Sequence, residues 1–386
     1  MSDALAIRAA STSAEIAAFE GLPAMLGGEG AGWPVPLALE NRMVFDPARN
    51  PALAEWHLAR FVAWRGKRPI GRILAAMPRE GAEGIGTFGL LALERDAGVL
   101  RALLDQAQDW LGRLGARWLR GPMNFSINHD IGLRVEGGEA PMLRMPRNPP
   151  WLPAMVEAEG LAREKDVLAC TLTLAEERHR ARFRPLLARW EGAKSLSVRA
   201  LRLSRLTEEV ALVVDLYNDA WAENWGARPV SAAEAAMMQR LLSPLLLSGR
   251  VFFAEWQGEA IGVLSIVPNI EEAVAGLGGR LLPFGWAALA GALMGRTSSA
   301  RVPMLGIRRA WRGTPVSAMA TGALLDAAIT LAERRGWEAI QISWILENNV
   351  AMRKLMTRLP APVTGRWRLW GMPLKQVCQK TGTNQG

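Results

Sequence analysis

Two stretches of the chain share one pattern of apolar and polar positions. RFVAWRGKRPIGRILAAMP, residues 60–78, and VFFAEWQGEAIGVLSIVP, residues 251–268, each read as an apolar strand, a Trp-x-Gly turn and a second strand opened by Ile-Gly. Trp64, Gly66, Ile70 and Gly71 thus correspond to Trp256, Gly258, Ile261 and Gly262. The correspondence continues downstream. VLRALLDQAQDWLGRLGARWLRGPM (99–123) and ATGALLDAAITLAERRGWEAIQISWI (320–345) both carry apolar residues at helical spacing, stop at a glycine, Gly115 or Gly336, and resume as a short strand. With ALAIRAA and LSVRALRLSR as opening strands, each half runs strand, helices, hairpin, strand, helix, strand, helix, last strand. This order predicts an α/β fold, mixed sheets with helices on both faces, built twice.

At 386 residues the chain is long enough for two such units. They are expected at 1–175 and 195–374, joined by a basic helix over 176–194, with 375–386 a frayed polar tail. Residues 281–295, LLPFGWAALAGALMG, carry no charge between Arg280 and Arg296. The run is shorter than the roughly 20 residues that span a bilayer, so it reads as a buried helix or an interfacial one.

Composition then narrows the classes of function. The two cysteines, Cys170 and Cys378, stand far apart and in no metal-type spacing, which predicts a reducing, cytoplasmic compartment with neither a disulfide framework nor a metal. The N-terminus lacks the basic-then-apolar pattern of a secretory signal. A net charge of +9 calls for an acidic partner: a phosphate-bearing ligand, an acidic carrier protein, an anionic membrane surface or nucleic acid. The chain has 16 Trp but one Tyr and no aromatic-basic stripe, which disfavours nucleic acid. Its densest basic run is Arg178, Arg180, Arg182, Arg184, Arg189, Lys194, Arg199, Arg202 and Arg205.

GPMNFSINHD (121–130) is the densest polar stretch and holds one of three histidines. It follows the strand of the first half that corresponds to SWILENN in the second. His129 is a candidate base with Asp130 orienting it, since imidazole titrates near neutrality. The alternative is a site wall or turn in which Asn124, Ser126 and Asn128 satisfy buried backbone.

The order of elements, with MLGIRRAWRGTPVSAMATGALL running from strand through turn into helix, resembles the GNAT superfamily of acyl-CoA N-acyltransferases. Four motifs sharpen the resemblance to a tandem GNAT-like family: GPMNFSINHD, AWAENWG (220–226), GRLLPFGW (279–286) and SWILENN (343–349). The resemblance implies two tandem GNAT-like domains and an acyl-CoA co-substrate bound in the second. There the strand before the main helix should splay and offer backbone to the pantetheine arm, and the loop into the helix should meet the pyrophosphate. This assigns donor binding to Leu305, Gly306, Ile307, Arg312, Gly313, Thr314, Val316, Ser317 and Asn349. Pro315 stands where the superfamily pattern expects glycine and has no N–H to give. Met356 replaces the tyrosine that often protonates the leaving thiolate, which leaves Tyr217 as the only phenol. Glu347 and Glu223 are the carboxylates nominated to take the amine proton. Trp221, Trp225, Phe284 and Trp286, together with the asparagines and serine of the decapeptide, are nominated to line the substrate site.

Among lipid enzymes the chain resembles bacterial ceramide synthases, which implies transfer of a fatty acyl group from acyl-CoA, or from an acyl carrier protein, to a long-chain amine. Peripheral attachment at an anionic membrane face through 281–295 and the basic run would fit that product. The alternatives are a small-molecule or peptide N-acetyltransferase, and a GNAT-like pseudoenzyme that binds acyl-CoA or an acidic partner. Length of the apolar pocket discriminates the first of these, and absence of turnover the second.

Overall fold

The computed structural model describes residues 4–81, 83–138, 140–174 and 195–374; the expected connecting helix, the basic positions from Arg178 to Lys194, Cys378 and the tail lie outside them. The first half comprises β1 (Leu5–Ala9), α1 (Ser13–Met25), α2 (Ala38–Phe45), the hairpin β2 (Trp56–Arg65) and β3 (Arg68–Pro78), β4 (Ile85–Leu93), α3 (Ala97–Arg113), β5 (Trp118–Gly121), β6 (Leu133–Gly137), α4 (Leu152–Ala158) and β7 (Ala162–Thr173). The second comprises β8 (Leu196–Ala200), α5 (Leu206–Trp221), α6 (Ala232–Leu242), the hairpin β9 (Arg250–Trp256) and β10 (Glu259–Pro268), α7 (Glu271–Val274), α8 (Gly285–Leu293), β11 (Ser299–Ile307), α9 (Pro315–Arg335), β12 (Ala339–Leu346), α10 (Val350–Arg358) and β13 (Val363–Pro373).

The hairpin pattern forms as read. Between β9 and β10, Gln257 and Gly258 have φ of 52° and 87°, the left-handed pair that lets a two-residue turn follow the twist of its strands. Alternation along these strands then assigns a helix to each face. Phe61, Ala63, Ile73 and Ala75 point to α3, which buries Val99, Leu100, Leu103, Leu104, Ala107 and Leu111. Their neighbours Val62 and Leu74 point to Phe19 of α1. The second half repeats the arrangement, with Ala254, Ile261 and Leu264 against α9 and Val251, Phe253 and Val263 against Leu216 of α5. Truncating Leu103 or Leu324 to alanine would cost about 2–5 kcal/mol.

Among the described residues the strands form one sheet in the order β1-β2-β3-β4-β5-β13-β7-β12-β11-β10-β9-β8, with β6 also on β13. The sheet crosses the expected boundary between the halves by exchanging their last strands. β7 of the first half pairs antiparallel with β12 of the second, and β13 of the second pairs with β5 and β6 of the first. The two exchanged strands lie side by side, Trp367 opposite Val167.

Both halves also contain a wedge. β4 and β5 run parallel only over Ile85–Thr87 and Trp118–Arg120, and β11 and β12 only over Ser299–Val302 and Ala339–Ile342. Beyond those pairs the strands part.

Residues 281–295 are largely exposed. Phe284 and Trp286 are 78% and 57% accessible, Leu282 and Met294 are exposed as well, and Ala292 is the buried residue of α8. A fully buried helix, one of the two readings of its composition, is therefore excluded.

Candidate active site

The first wedge is filled by the protein itself. Just past β5 the chain turns into the gap, where the Met123 amide donates to the Phe88 carbonyl at 2.6 Å and the Leu90 amide to Asn124 Oδ1 at 3.0 Å. Gly89 permits this approach, since a Cβ there would lie 2.5 Å from both Asn124 Oδ1 and the Met123 carbonyl. Thr87 Oγ1 donates to the Phe125 carbonyl at 3.2 Å. Asp96 caps α3, accepting from the amides of Gly98 and Val99, and pairs with Arg65. A carboxylate therefore sits where a phosphate would need amides.

The second wedge opens into a cavity of about 420 Å³. Pro303 and Met304 of β11 line one side of it and Trp344 and Leu346 of β12 the other, and it runs on under α5 and α6 past Val210, Val213, Tyr217, Met237, Met238 and Leu242. Arg301 fixes the point where the strands part. It is buried, donates to Ser343 Oγ at 3.0 Å and to the Leu143 carbonyl at 2.7 Å, and burial lowers its pKa to about 9. Leu305, Gly306 and Ile307 are not on the cavity wall; they pair with Leu264, Val263 and Gly262 of β10, and the Trp221 ring lies so close over Gly306 that a Cβ there would be 2.3 Å from it.

The decapeptide forms part of this cavity although it belongs to the first half. Asn128, His129 and Asp130 line it. Tyr217 donates to Asn128 Oδ1 at 2.8 Å and stacks on Trp221 with ring centroids 4.6 Å apart. Burial, and next the charge of Glu234, raise the Tyr217 pKa, so its hydroxyl stays protonated. Ser126 is buried outside the cavity, its hydroxyl 3.3 Å from His129 Nδ1. Asp130 does not orient His129; Arg144 holds it at 3.0 Å. The carboxylate behind His129 is Glu234 of α6, with Oε1 3.7 Å from Nδ1 and 3.4 Å from Asn128 Nδ2. Both side chains are 8% exposed. Burial, with a further push from Arg144, lowers His129 to about 3, and burial raises Glu234 to about 7. Near neutral pH His129 is therefore neutral, while Glu234 passes between its protonated and ionised forms.

Two backbone conformations mark the same place. Phe125 and Arg144 adopt φ of 70° and 53°, left-handed values that cost energy outside glycine and that cluster where geometry is functionally constrained.

The other nominated groups lie elsewhere. Glu347 pairs with Arg163 and accepts from the Asp166 amide at 3.2 Å, and it lines neither cavity. Glu223 is 69% exposed and pairs with Arg309 at 3.4 Å and Arg312 at 3.8 Å. Both are arginine partners that stay off the cavity wall, although their neighbours Ala222, Asn224 and Leu346 line it, because each stands beside guanidinium groups that claim it first. Asn349 caps α10 by accepting from the Met352 amide at 3.1 Å. Met356 is buried in the core under α10. Trp225 lies beneath the Arg120 guanidinium at 4.4 Å and packs in a core cluster. Phe284 and Trp286 point to solvent rather than into either cavity.

At the turn into α9, Gly313 has φ 76°, Arg312 donates to the Ala220 carbonyl, and the Thr314 hydroxyl caps the Ser317 amide at 3.2 Å. The Thr314 amide bonds the Trp311 carbonyl and Pro315 has none. Of the groups nominated for the pyrophosphate, Arg312 and the Val316 amide fit best, with Arg309 beside them.

No family model matches the chain. Two relatives do. The first, the bacterial ceramide synthase of Caulobacter vibrioides, is 35% identical over 353 residues, covering 88% of this chain and 90% of that protein. This chain belongs to the bacterial ceramide synthase family. Protein YghO of Escherichia coli, 30% identical over 364 residues and covering 92% of each chain, is a second relative of the enzyme. Solved structures agree on the fold. A tandem GNAT protein from the clavulanic acid biosynthesis pathway superimposes with a TM-score of 0.57 at 15% identity, covering 96% of this chain and 99% of that one. A GCN5-related N-acetyltransferase from Sphaerobacter thermophilus gives 0.52 at 12% identity, covering 96% of each. The ceramide synthase-type chain is thus an N-acyltransferase of tandem GNAT fold.

Sequence reasoning about this ceramide synthase-type site missed Glu234, Arg144 and Arg301. Glu234 sits three residues after Ser231, whose hydroxyl accepts from its amide at 3.0 Å, so in sequence it reads as an ordinary first-turn carboxylate. Arg144 and Arg301 are two among many arginines, and only the fold buries Arg301 and half-buries Arg144 between its carboxylates.

Proposed function

We propose that the protein transfers a long-chain fatty acyl group from acyl-CoA to the amine of a long-chain (sphingoid) base. The observation that carries this reading is the apolar cavity of about 420 Å³ leading away from the second wedge, far more space than an acetyl group needs. The thioester would lie in the wedge, the acyl chain beneath α5 and α6, and the phosphates toward Arg309 and Arg312. Charge-assisted contacts from guanidinium then take the place of the missing amides.

The acceptor's ammonium first gives up one proton to solvent; when the neutral amine nitrogen then attacks the thioester carbonyl, the C–N bond forms, the C–S bond breaks and a second N–H proton must leave. His129 faces the cavity and accepts it on one ring nitrogen while Nδ1 passes its own to Glu234, which rests near neutrality and suits a base at working pH. The present 3.7 Å must tighten for that transfer, as such contacts do when substrate excludes water. Tyr217 orients Asn128 beside the pair. The thiolate departs along the wedge and is protonated by water.

The exposed apolar side chains Leu282, Phe284, Trp286 and Met294, flanked by Arg280 and Arg296, suit contact with an anionic membrane face. The test of the function is direct. Purified protein given sphinganine with palmitoyl-CoA or acetyl-CoA should release thiol and form the long-chain amide, identified by mass spectrometry. Faster turnover of acetyl-CoA would overturn the fatty-acyl assignment.

A further inference from the structure

A second apolar cavity, of about 400 Å³, is walled mainly by the first half and closed by residues of the second, among them Leu241, Leu245 and Ile270. Its wall comes from α2, the loop before it, β4, the 141–148 segment and the inner side of α8, through Leu289 and Leu293. The two cavities adjoin, because Asp130, Leu143, Arg144, Leu241, Leu242 and Leu245 line both. The shared neck is polar. Arg144 stands between two carboxylates, Glu40 at 3.2 Å and Asp130 at 3.0 Å, with Glu271 also acting on it and the Arg301 guanidinium acting on Asp130, so three carboxylates face two guanidinium groups. Burial raises the Glu40 pKa against the pull of Arg144, so a further cation beside it would be favourable.

Two apolar chambers joined by an anionic neck match a substrate pair with two hydrocarbon chains that meet at an amine. Resting on the acyltransferase reading above, we propose that the second cavity holds the hydrocarbon chain of the acceptor, with its ammonium at the neck beside Glu40 and Asp130. The acyl chain keeps the first cavity. The neck also separates the roles of the halves: the second half brings the donor, and the first half houses the acceptor. Access follows from α8, which presents Trp286 and Met294 outward and Leu289 and Leu293 to the cavity. A long-chain amine dissolved in a bilayer would pass along that helix without its chain crossing water.

Substituting tryptophan inside each chamber tests the division. The assay crosses sphinganine and a ten-carbon analogue with palmitoyl-CoA and octanoyl-CoA. Leu289→Trp should raise KM for sphinganine by about tenfold or more, spare the ten-carbon amine and leave the preference between the acyl donors unchanged. Val213→Trp should do the reverse, shifting preference to octanoyl-CoA with the amine preference intact. Glu40→Gln should weaken amine binding without changing the affinity for donor in calorimetry. Should Leu289→Trp lose activity with every substrate, Met43→Trp, on the α2 side of the same chamber, repeats the measurement. Exchanged phenotypes, or unchanged chain-length preferences in both chambers, would overturn the division. Failure of the unaltered protein to acylate any long-chain amine would instead sink the acyltransferase reading itself.

Discussion

The two wedges begin alike and end differently. In each, a parallel strand pair separates after three or four residues, and the following helix is capped by a side chain at its first turn. The first is then packed with Met123, Asn124 and Phe125, which satisfy the Phe88 carbonyl, the Leu90 amide and the Thr87 hydroxyl, and its helix start carries Asp96. The second is left open to a cavity, and its helix start carries Arg312. One duplicated geometry thus serves as architecture in one half and, in the proposed function, as the donor site in the other. The plug of the first wedge nevertheless continues into Asn128 and His129, which reach the cavity of the second. Each half completes the other's site.

The largest expected effect concerns that crossing. His129→Gln and Glu234→Gln should each lower kcat by about a hundredfold or more, with folded melting behaviour; retained activity would confine the chemistry to the second half. The pH profiles sharpen the point. Activity that needs ionised Glu234 rises with pH through about 7, and Glu234→Gln should remove that limb. Stability moves the opposite way. Because Glu234 holds its proton more tightly folded than unfolded, its contribution is complete below the carboxylate's ordinary value of 4.5 and is lost as pH rises through about 7. The melting temperature of unaltered protein relative to Glu234→Gln should therefore fall across that window.

Next in size, Arg312→Glu should weaken donor binding by roughly ten- to a hundredfold in calorimetry, whereas Asp96→Asn should leave it unchanged. The opposite pairing of results would move the donor to the first wedge. Asn124→Ala strands the Leu90 amide and should cost about 1–3 kcal/mol in denaturant unfolding, yet donor should still bind once per chain. A second equivalent would reveal a latent site beneath the plug. The smallest effect is expected from Glu223→Ala. With Glu223 gone, and Arg309 still paired with Asp219, Arg309 and Arg312 should bind donor roughly twofold to threefold tighter at low salt and equally at high salt; a large loss of turnover would restore Glu223 to the chemistry.

The repeated hairpin and helix were legible because each Trp-x-Gly turn and each helical stripe depends on residues close in sequence. The exchange of β7 and β13 was not. Alternating strands such as VTGRWRLWGM accept either neighbour, and nothing local distinguishes them. The decapeptide's importance was legible, while its partner was misread: Asp130 is adjacent in sequence but belongs to Arg144, and Glu234 arrives from 105 residues away through the fold. Glu347 and Glu223 show the same blindness in reverse, since motif position suggested chemistry that neighbouring arginines had already claimed. For α8, composition described the helix faithfully but said nothing of what covers it.

The exchanged strands impose an order on synthesis. When the ribosome has made residues through β7, the edge of β5 still lacks the neighbour that completes it, because β13 follows all the other elements of the second half. At roughly 5–20 residues per second, the nascent first half waits on the order of ten seconds or more with that edge unpaired. Neither half can be finished on its own, and a transcript cut short before Val363 leaves both without a closed sheet.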